Sequence, residues 1–82
     1  MLDLRIFDKI IAQYSIARQK HPDFAYGPYH ALGYLGEEYG EVSREITKQH
    51  PDWQQRMDAE LIDLIVVALR MLQREYEHEL ND

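Results

Sequence analysis

Leu61-Ile-Asp-Leu-Ile-Val-Val-Ala-Leu-Arg-Met-Leu72 is the stretch whose reading decides the fold. Wound as a helix, it carries apolar side chains over well over half its circumference. Only the line Arg56, Glu60, Asp63, Val67, Arg70, Arg74 interrupts them. A surface helix needs an apolar stripe of about 100°, and this one is apolar over roughly twice that, so it must be covered from two sides. The helix is expected from about Trp53 to near Glu79. His50-Pro51 closes what precedes it, and Asp52 with Gln55 three residues on resembles a capping box.

Upstream, Leu32, Leu35, Tyr39, Val42 and Ile46 form an apolar seam at alternating three- and four-residue spacing, predicting a second helix from about Tyr29 to Gln49. A line of small residues, Gly33, Gly36, Gly40 and Ser43, runs beside the seam. Each glycine inside a helix costs ~1 kcal/mol relative to alanine. Either the helix begins only near Gly36, or the line is a flat surface approached closely by another backbone. The first helix is expected from about Leu2 to Lys20. Its apolar stripe is Leu4, Phe7, Ile11 and Tyr14, widened by Ile6, Ile10 and Ala17, with Arg5, Asp8, Lys9, Gln13 and Arg18 opposite. It stops at His21-Pro22, because the residue before a proline is pushed out of the α region. Gly27-Pro28 then reads as the next start signal.

Nothing alternates like a strand. The expectation is one all-α domain over residues 1–82, a three-helix protomer. The girth of the third helix argues for a homo-oligomer, a dimeric or tetrameric bundle with that helix near the axis. A chain of 82 residues buries only about 60–65% of its unfolded surface, which makes a lone monomer marginal. With no cysteine there are no disulfides, zinc ribbons or thiol nucleophiles. Fifteen acids against nine Lys and Arg give a net charge of −6, which argues against a nucleic-acid polymer as partner. No apolar run approaches the ~20 residues of a membrane span, and no signal-peptide pattern opens the sequence. A soluble cytoplasmic protein is expected.

The chemistry is expected at Asp63. It sits among Leu61, Ile62, Leu64, Ile65 and Val66, where an unpaired carboxylate is costly to bury. Glu60 lies one turn back on the same face. The second helix supplies its own i, i+3 pair in Glu38 and Glu41, with Glu37 and Glu45 adjoining. If the helices pack side by side, 8–10 Å apart, the two pairs converge. Four clustered negative charges then repel unless a cation holds them. Oxygen ligands favour hard ions, Mg²⁺ or Mn²⁺ first, and Mg²⁺ on carboxylates usually keeps positions for water and substrate phosphates. A metal-dependent phosphoryl or nucleotidyl hydrolase follows. The opposing reading is a solvated edge on which the acids pair with Arg56, Arg70 or Arg74.

Glu37-Glu-Tyr-Gly-Glu-Val42 followed by Glu60-Leu-Ile-Asp-Leu64, with eighteen residues between Glu41 and Glu60, resembles the paired ExxE and ExxD motifs of the MazG-type all-α nucleoside triphosphate pyrophosphohydrolases. The resemblance covers about Tyr29 to Arg74. It implies a MazG-like fold, with Glu38 and Glu41 as the metal-binding ExxE and Glu60 and Asp63 as the ExxD. It also implies Mg²⁺-dependent hydrolysis of a (deoxy)nucleoside triphosphate to the monophosphate and pyrophosphate, with Glu37 or Glu45 as general base. Arg56 stands where similar proteins place a phosphate-contacting lysine, and Arg70, Arg74 and Lys48 are further candidates for the phosphates. Tyr34 and His30, on the segment upstream of the acids, and Trp53 are candidates for stacking on the base. Members of that family commonly add a fourth helix, so a neighbouring subunit is expected to complete the site, or activity is lost.

Two other classes compete. A non-catalytic acidic helical adaptor would use the same carboxylates as a solvated face. A carboxylate-bridged di-metal redox bundle would draw on the i, i+3 pair Glu75 and His78.

Overall fold

A computed structural model describes residues 1–77 as three helices and a short turn: α1 (Leu4–Lys20), α2 (Pro28–Lys48), α3 (Trp53–Leu72) and a single 3₁₀ turn at Glu75–Glu77. There is no strand among the described residues. Pro28 takes the first position of α2, as Gly27-Pro28 predicts. Asp3 caps α1 by accepting from the Arg5 amide at 3.0 Å, and the His21 amide closes the other end on the Ala17 carbonyl at 2.8 Å. α2 ends where Gln49 turns left-handed, its side-chain amide donating to the Ile46 carbonyl at 2.6 Å.

α2 and α3 form an antiparallel hairpin, and α1 lies on α3 beside it. The central helix is thus covered from two sides within one protomer, so its girth is not by itself a demand for a subunit axis. Exposed large apolar side chains concentrate instead on α1 (Leu4, Ile6, Phe7, Ile11, Ile16) and α2 (Tyr29, Leu32, Tyr39, Ile46).

The core is small. Phe24, Ala25, Ala31 and Val66 are its buried apolar members, with Tyr34, Val67, Met71 and Tyr76 packed around the first three. Phe24 and Ala25 come from the loop between α1 and α2, which folds inward between the start of α2 and the end of α3. Arg70 is buried with them, 3% exposed. Its guanidinium reaches Glu75 (2.7 Å), the His21 carbonyl (2.8 Å) and the Ala17 carbonyl (3.4 Å), and lies 4.7 Å from the centre of the Phe24 ring. Tyr14 donates to the other oxygen of Glu75. This clasp joins the end of α1, the loop and the turn after α3 around one cation.

Four expectations change. α3 ends at Leu72, not near Glu79: Arg74 adopts φ 60° and donates to the Met71 and Leu72 carbonyls, and Glu75 turns back to Arg70. Residues His78 and Glu79 lie outside the described residues. The capping box does not form, since Asp52 makes no side-chain cap and instead accepts from Arg56 at 2.9 Å. α1 presents Ile10, Gln13, Tyr14 and Ala17 to the protein, while Leu4, Phe7 and Ile11 face out. That face is rotated by about a quarter turn from the expected stripe. Finally, a Cβ at Gly33, Gly36 or Gly40 would meet nothing within 4 Å, so no backbone of the same protomer approaches the glycine line.

Candidate metal centre

The antiparallel hairpin sets the site. α2 presents Ala31, Leu35 and Val42 inward, and Glu38 follows on the same side of the helix, so the packing that buries this face also draws Glu38 in, while Leu32, Tyr39 and Ile46 of the expected seam stay exposed. Across from it, Asp63 and Glu60 are held half-buried by the apolar run of α3. One oxygen each from Glu38, Glu60 and Asp63 lies within 4.8 Å of the others. Three of the four expected ligands therefore meet. Glu41, the fourth, is half-buried next to them and ion-paired with Arg44.

The electrostatics are those of an unneutralised cluster. Burial first, then the charges of Asp63, Glu60, Glu41 and Glu37, push the Glu38 carboxyl up to about 7. Burial also raises Glu60, with Asp63, Glu41 and Glu45 adding to it and Arg44 opposing, and burial raises Asp63. Glu38 Oε2 is buried and has no hydrogen-bond partner among the described residues. A carboxylate oxygen left so costs more than one in water. Three carboxylates, one of them with an orphaned oxygen, are a donor set that suits a hard divalent cation such as Mg²⁺ or Mn²⁺.

Beside the carboxylates, a cavity of about 380 Å³ opens between α1 and the hairpin. Glu37, Glu38 and Asp63 line one side, Phe24 and Tyr34 supply aromatic wall, and Arg70 lies at its inner end. A second, more open groove of about 390 Å³ runs between α1 and α3 along Lys9, Ile62 and Asp63. Gln13 borders both.

The other sequence candidates separate. Glu37 lines the cavity, whereas Glu45 does not and adds its charge to Glu60. Tyr34 lines the cavity; His30 packs on it at 4.7 Å between ring centres and accepts from the Tyr26 amide, one step removed. Trp53, at the first residue of α3, stands ten residues before Asp63, about 15 Å along the axis, and does not line the cavity. Arg56 is exposed and paired with Asp52. Arg70 is built into the clasp, and Arg74 is turned to the end of α3. Lys48 is exposed at the last residue of α2, ten residues from Glu38. Of the four expected phosphate contacts, only Arg70 borders the cavity, and it does so as a structural cation.

Gln13, Lys20 and Asp23 line the cavity without having been singled out. For Gln13 a signal existed: it lies at i+3 from Ile10 and i−4 from Ala17, a polar side chain on an inward line of α1. Comparison with known proteins yields no family model, no curated protein and no solved structure that matches this chain.

Proposed function

We propose that the protein hydrolyses a (deoxy)nucleoside triphosphate to the monophosphate and pyrophosphate, using Mg²⁺ held by Glu38, Glu60 and Asp63. The observation that carries this reading is Glu38, whose buried Oε2 has no hydrogen-bond partner among the described residues and one of whose oxygens lies within 4.8 Å of oxygens of Glu60 and Asp63. The paired ExxE and ExxD motifs point the same way. A divalent ion there would offset phosphate charge and lower the pKa of a bound water. Glu41 adds negative charge beside the three ligands. Of the two candidate general bases we favour Glu37, which lines the cavity, over Glu45, which does not. The adjoining cavity falls in the size range of small-molecule sites, about 300–1,000 Å³. Phe24 and Tyr34 offer it apolar surface for a nucleoside.

Titration calorimetry with Mg²⁺, followed by a nucleotide panel read out as released pyrophosphate, tests the proposal. Ion binding and turnover are expected. Asp63→Asn should lower turnover by ~100-fold or more, beyond the 10–100-fold typical of losing a residue that only supports a metal ligand. An intact fold with neither ion binding nor turnover would defeat the reading.

The engagement of Arg56, Arg70 and Arg74 within the protomer favours one alternative, the non-catalytic acidic adaptor. In an adaptor, Asp63→Asn gains stability or changes little, and Mg²⁺ has no effect on either protein.

A further inference from the structure

The proposed chemistry needs a cation for the phosphates, and the arginines do not supply one. Each of the six guanidiniums is bonded within the protein: Arg5 to Asp3, Arg18 to Tyr14, Arg44 to Glu41, Arg56 to Asp52, Arg70 to Glu75 and Arg74 to the end of α3. The three lysines, Lys9, Lys20 and Lys48, make no hydrogen bond or ion pair among the described residues. Lys48 is remote. Lys9 and Lys20, both exposed on α1, border the two hollows beside the carboxylates.

Those hollows are one continuous groove. Gln13, Ile16 and Asp63 line both, so Asp63 stands on the divide between them. α1 runs in the same direction as α3: Ala17 meets Arg70 at one end, and Lys9 shares the open half with Ala59 and Ile62 nearer the other. Lys9 and Lys20 are eleven residues apart, about 16–17 Å along the axis, with Gln13 between. The two halves differ in chemistry. The more enclosed half has the aromatic wall, Phe24 and Tyr34, and four acids, Asp23, Glu37, Glu38 and Asp63, against Lys20 and Arg70. The open half has no aromatic side chain and a single acid, Asp63, against Lys9. An aromatic base matches the first, and a chain of anionic phosphates the second.

We infer that the groove between α1 and α3 receives the pyrophosphate end of the substrate, with the Lys9 ammonium on its β and γ phosphates. The inference rests on the proposed hydrolysis and goes beyond it by giving the leaving group a place and a cation. The nucleoside lies against Phe24 and Tyr34, the α-phosphorus at Glu38 and Asp63, and the distal phosphates pass Gln13 into the open half. As the water oxygen bonds to the α-phosphorus, the bond from that phosphorus to the α–β bridging oxygen breaks. The bridging oxygen leaves on pyrophosphate with the electron pair. One water proton passes to Glu37, and the other dissociates from the new phosphoryl group to solvent. Lys9 offsets the charge that builds on the departing side. Asp3, the acid that its charge reaches, is already held twice by Arg5, so Lys9 is not needed to hold it.

Lys9 is exposed, so its substitution leaves the core intact, and circular dichroism of each variant checks this. Calorimetry in Mg²⁺ with inorganic pyrophosphate and, separately, with a nucleoside monophosphate reads the two halves without needing turnover. Wild type should bind pyrophosphate. Lys9→Gln should weaken that binding ~10–100-fold, as loss of a hydrogen bond to a charged group does. The same variant should hold the monophosphate within about 2-fold of wild type. Lys9→Arg should recover most of the loss, since it keeps the charge. No pyrophosphate binding by wild type, an unchanged affinity in Lys9→Gln, or equal loss of both ligands would each overturn the inference. The two readings fail separately. Turnover by a protein whose Lys9→Gln variant still binds pyrophosphate fully strikes only the subsite. Lys9-dependent pyrophosphate binding without turnover of any nucleotide strikes only the hydrolase and upholds the subsite.

Discussion

Two clusters of partly or wholly buried charge lie within this small protein, and they are built on opposite terms. Around Arg70, one cation is met by a carboxylate, two carbonyls and an aromatic face, and the loop and the C-terminal ends of α1 and α3 close over it. Around Glu38, carboxylate is stacked on carboxylate and one oxygen is left with no donor. The first arrangement is complete as it stands and belongs to folding. The second is costly as it stands, and added positive charge would relieve it, which is what the proposed function calls for. The contrast also explains why Arg70, though it borders the cavity, is a poor candidate for a mobile phosphate contact: moving it would undo the clasp.

The sharpest way to break this comparison is Arg70→Ala. Removing one partner of a buried ion pair typically costs 3–5 kcal/mol, and here Glu75 and two carbonyls each lose one donor together. With about 4–8 °C of melting temperature per kcal/mol in a domain of this size, the variant should melt at least ~12 °C lower, or fail to fold. Thermal denaturation followed by circular dichroism measures it. A loss under ~1 kcal/mol would mean that the clasp holds nothing.

Glu38→Gln asks the converse question of the second cluster. Taking one charge out of a repelling set should stabilise the metal-free protein by ~0.5–2 kcal/mol, a gain of the kind found when a functional residue is removed. The pH dependence carries the same information. Between about 4.5 and about 7 the folded protein keeps a proton on Glu38 that the unfolded chain has released. Folded stability therefore falls as pH rises through that window. In chelator-treated buffer the melting temperature should drop from pH 5 to pH 8, Mg²⁺ should reverse the drop by binding only the folded state, and Glu38→Gln should flatten it. A wild-type melting curve that does not move with pH would remove the case for strained carboxylates.

Much of this was legible in the sequence, for identifiable reasons. The three helices announce themselves through period and through His21-Pro22, Gly27-Pro28 and His50-Pro51, because these are local signals. Glu38, Glu60 and Asp63 were legible because i, i+3 acids on the inward sides of adjacent helices are bound to meet once the helices pack. The clasp was not, because Arg70 looks like one more member of a polar line. Only the tertiary path of the loop, bringing the His21 carbonyl and Glu75 to it, shows that it is buried. The orientation of α1 was hidden for a related reason. Its sequence offers more apolar residues than its neighbours can cover, so the stripe richest in them, Leu4, Phe7 and Ile11, is not the one packed within the protomer.

The start of α3 gives the smallest effect and a strict check on how far local pattern can be trusted. Asp52 and Gln55 have the spacing of a capping box, yet the Asp52 carboxylate turns to Arg56 at 2.9 Å, with both side chains about half exposed. The helix begins instead on the backbone, with the Trp53 amide on the His50 carbonyl at 2.9 Å and the Arg56 amide on the Asp52 carbonyl at 3.1 Å. With no cap made by the aspartate, Gln55 has no reciprocal bond to give. Gln55→Ala should therefore fall within about 0.5 kcal/mol of wild type in urea denaturation. Asp52→Ala should cost no more than an exposed i, i+4 ion pair, ~0.3–0.5 kcal/mol. A loss near 1 kcal/mol at either position is what a working cap would produce, and it would show that the sequence pattern, not the ion pair, governs this end of the helix.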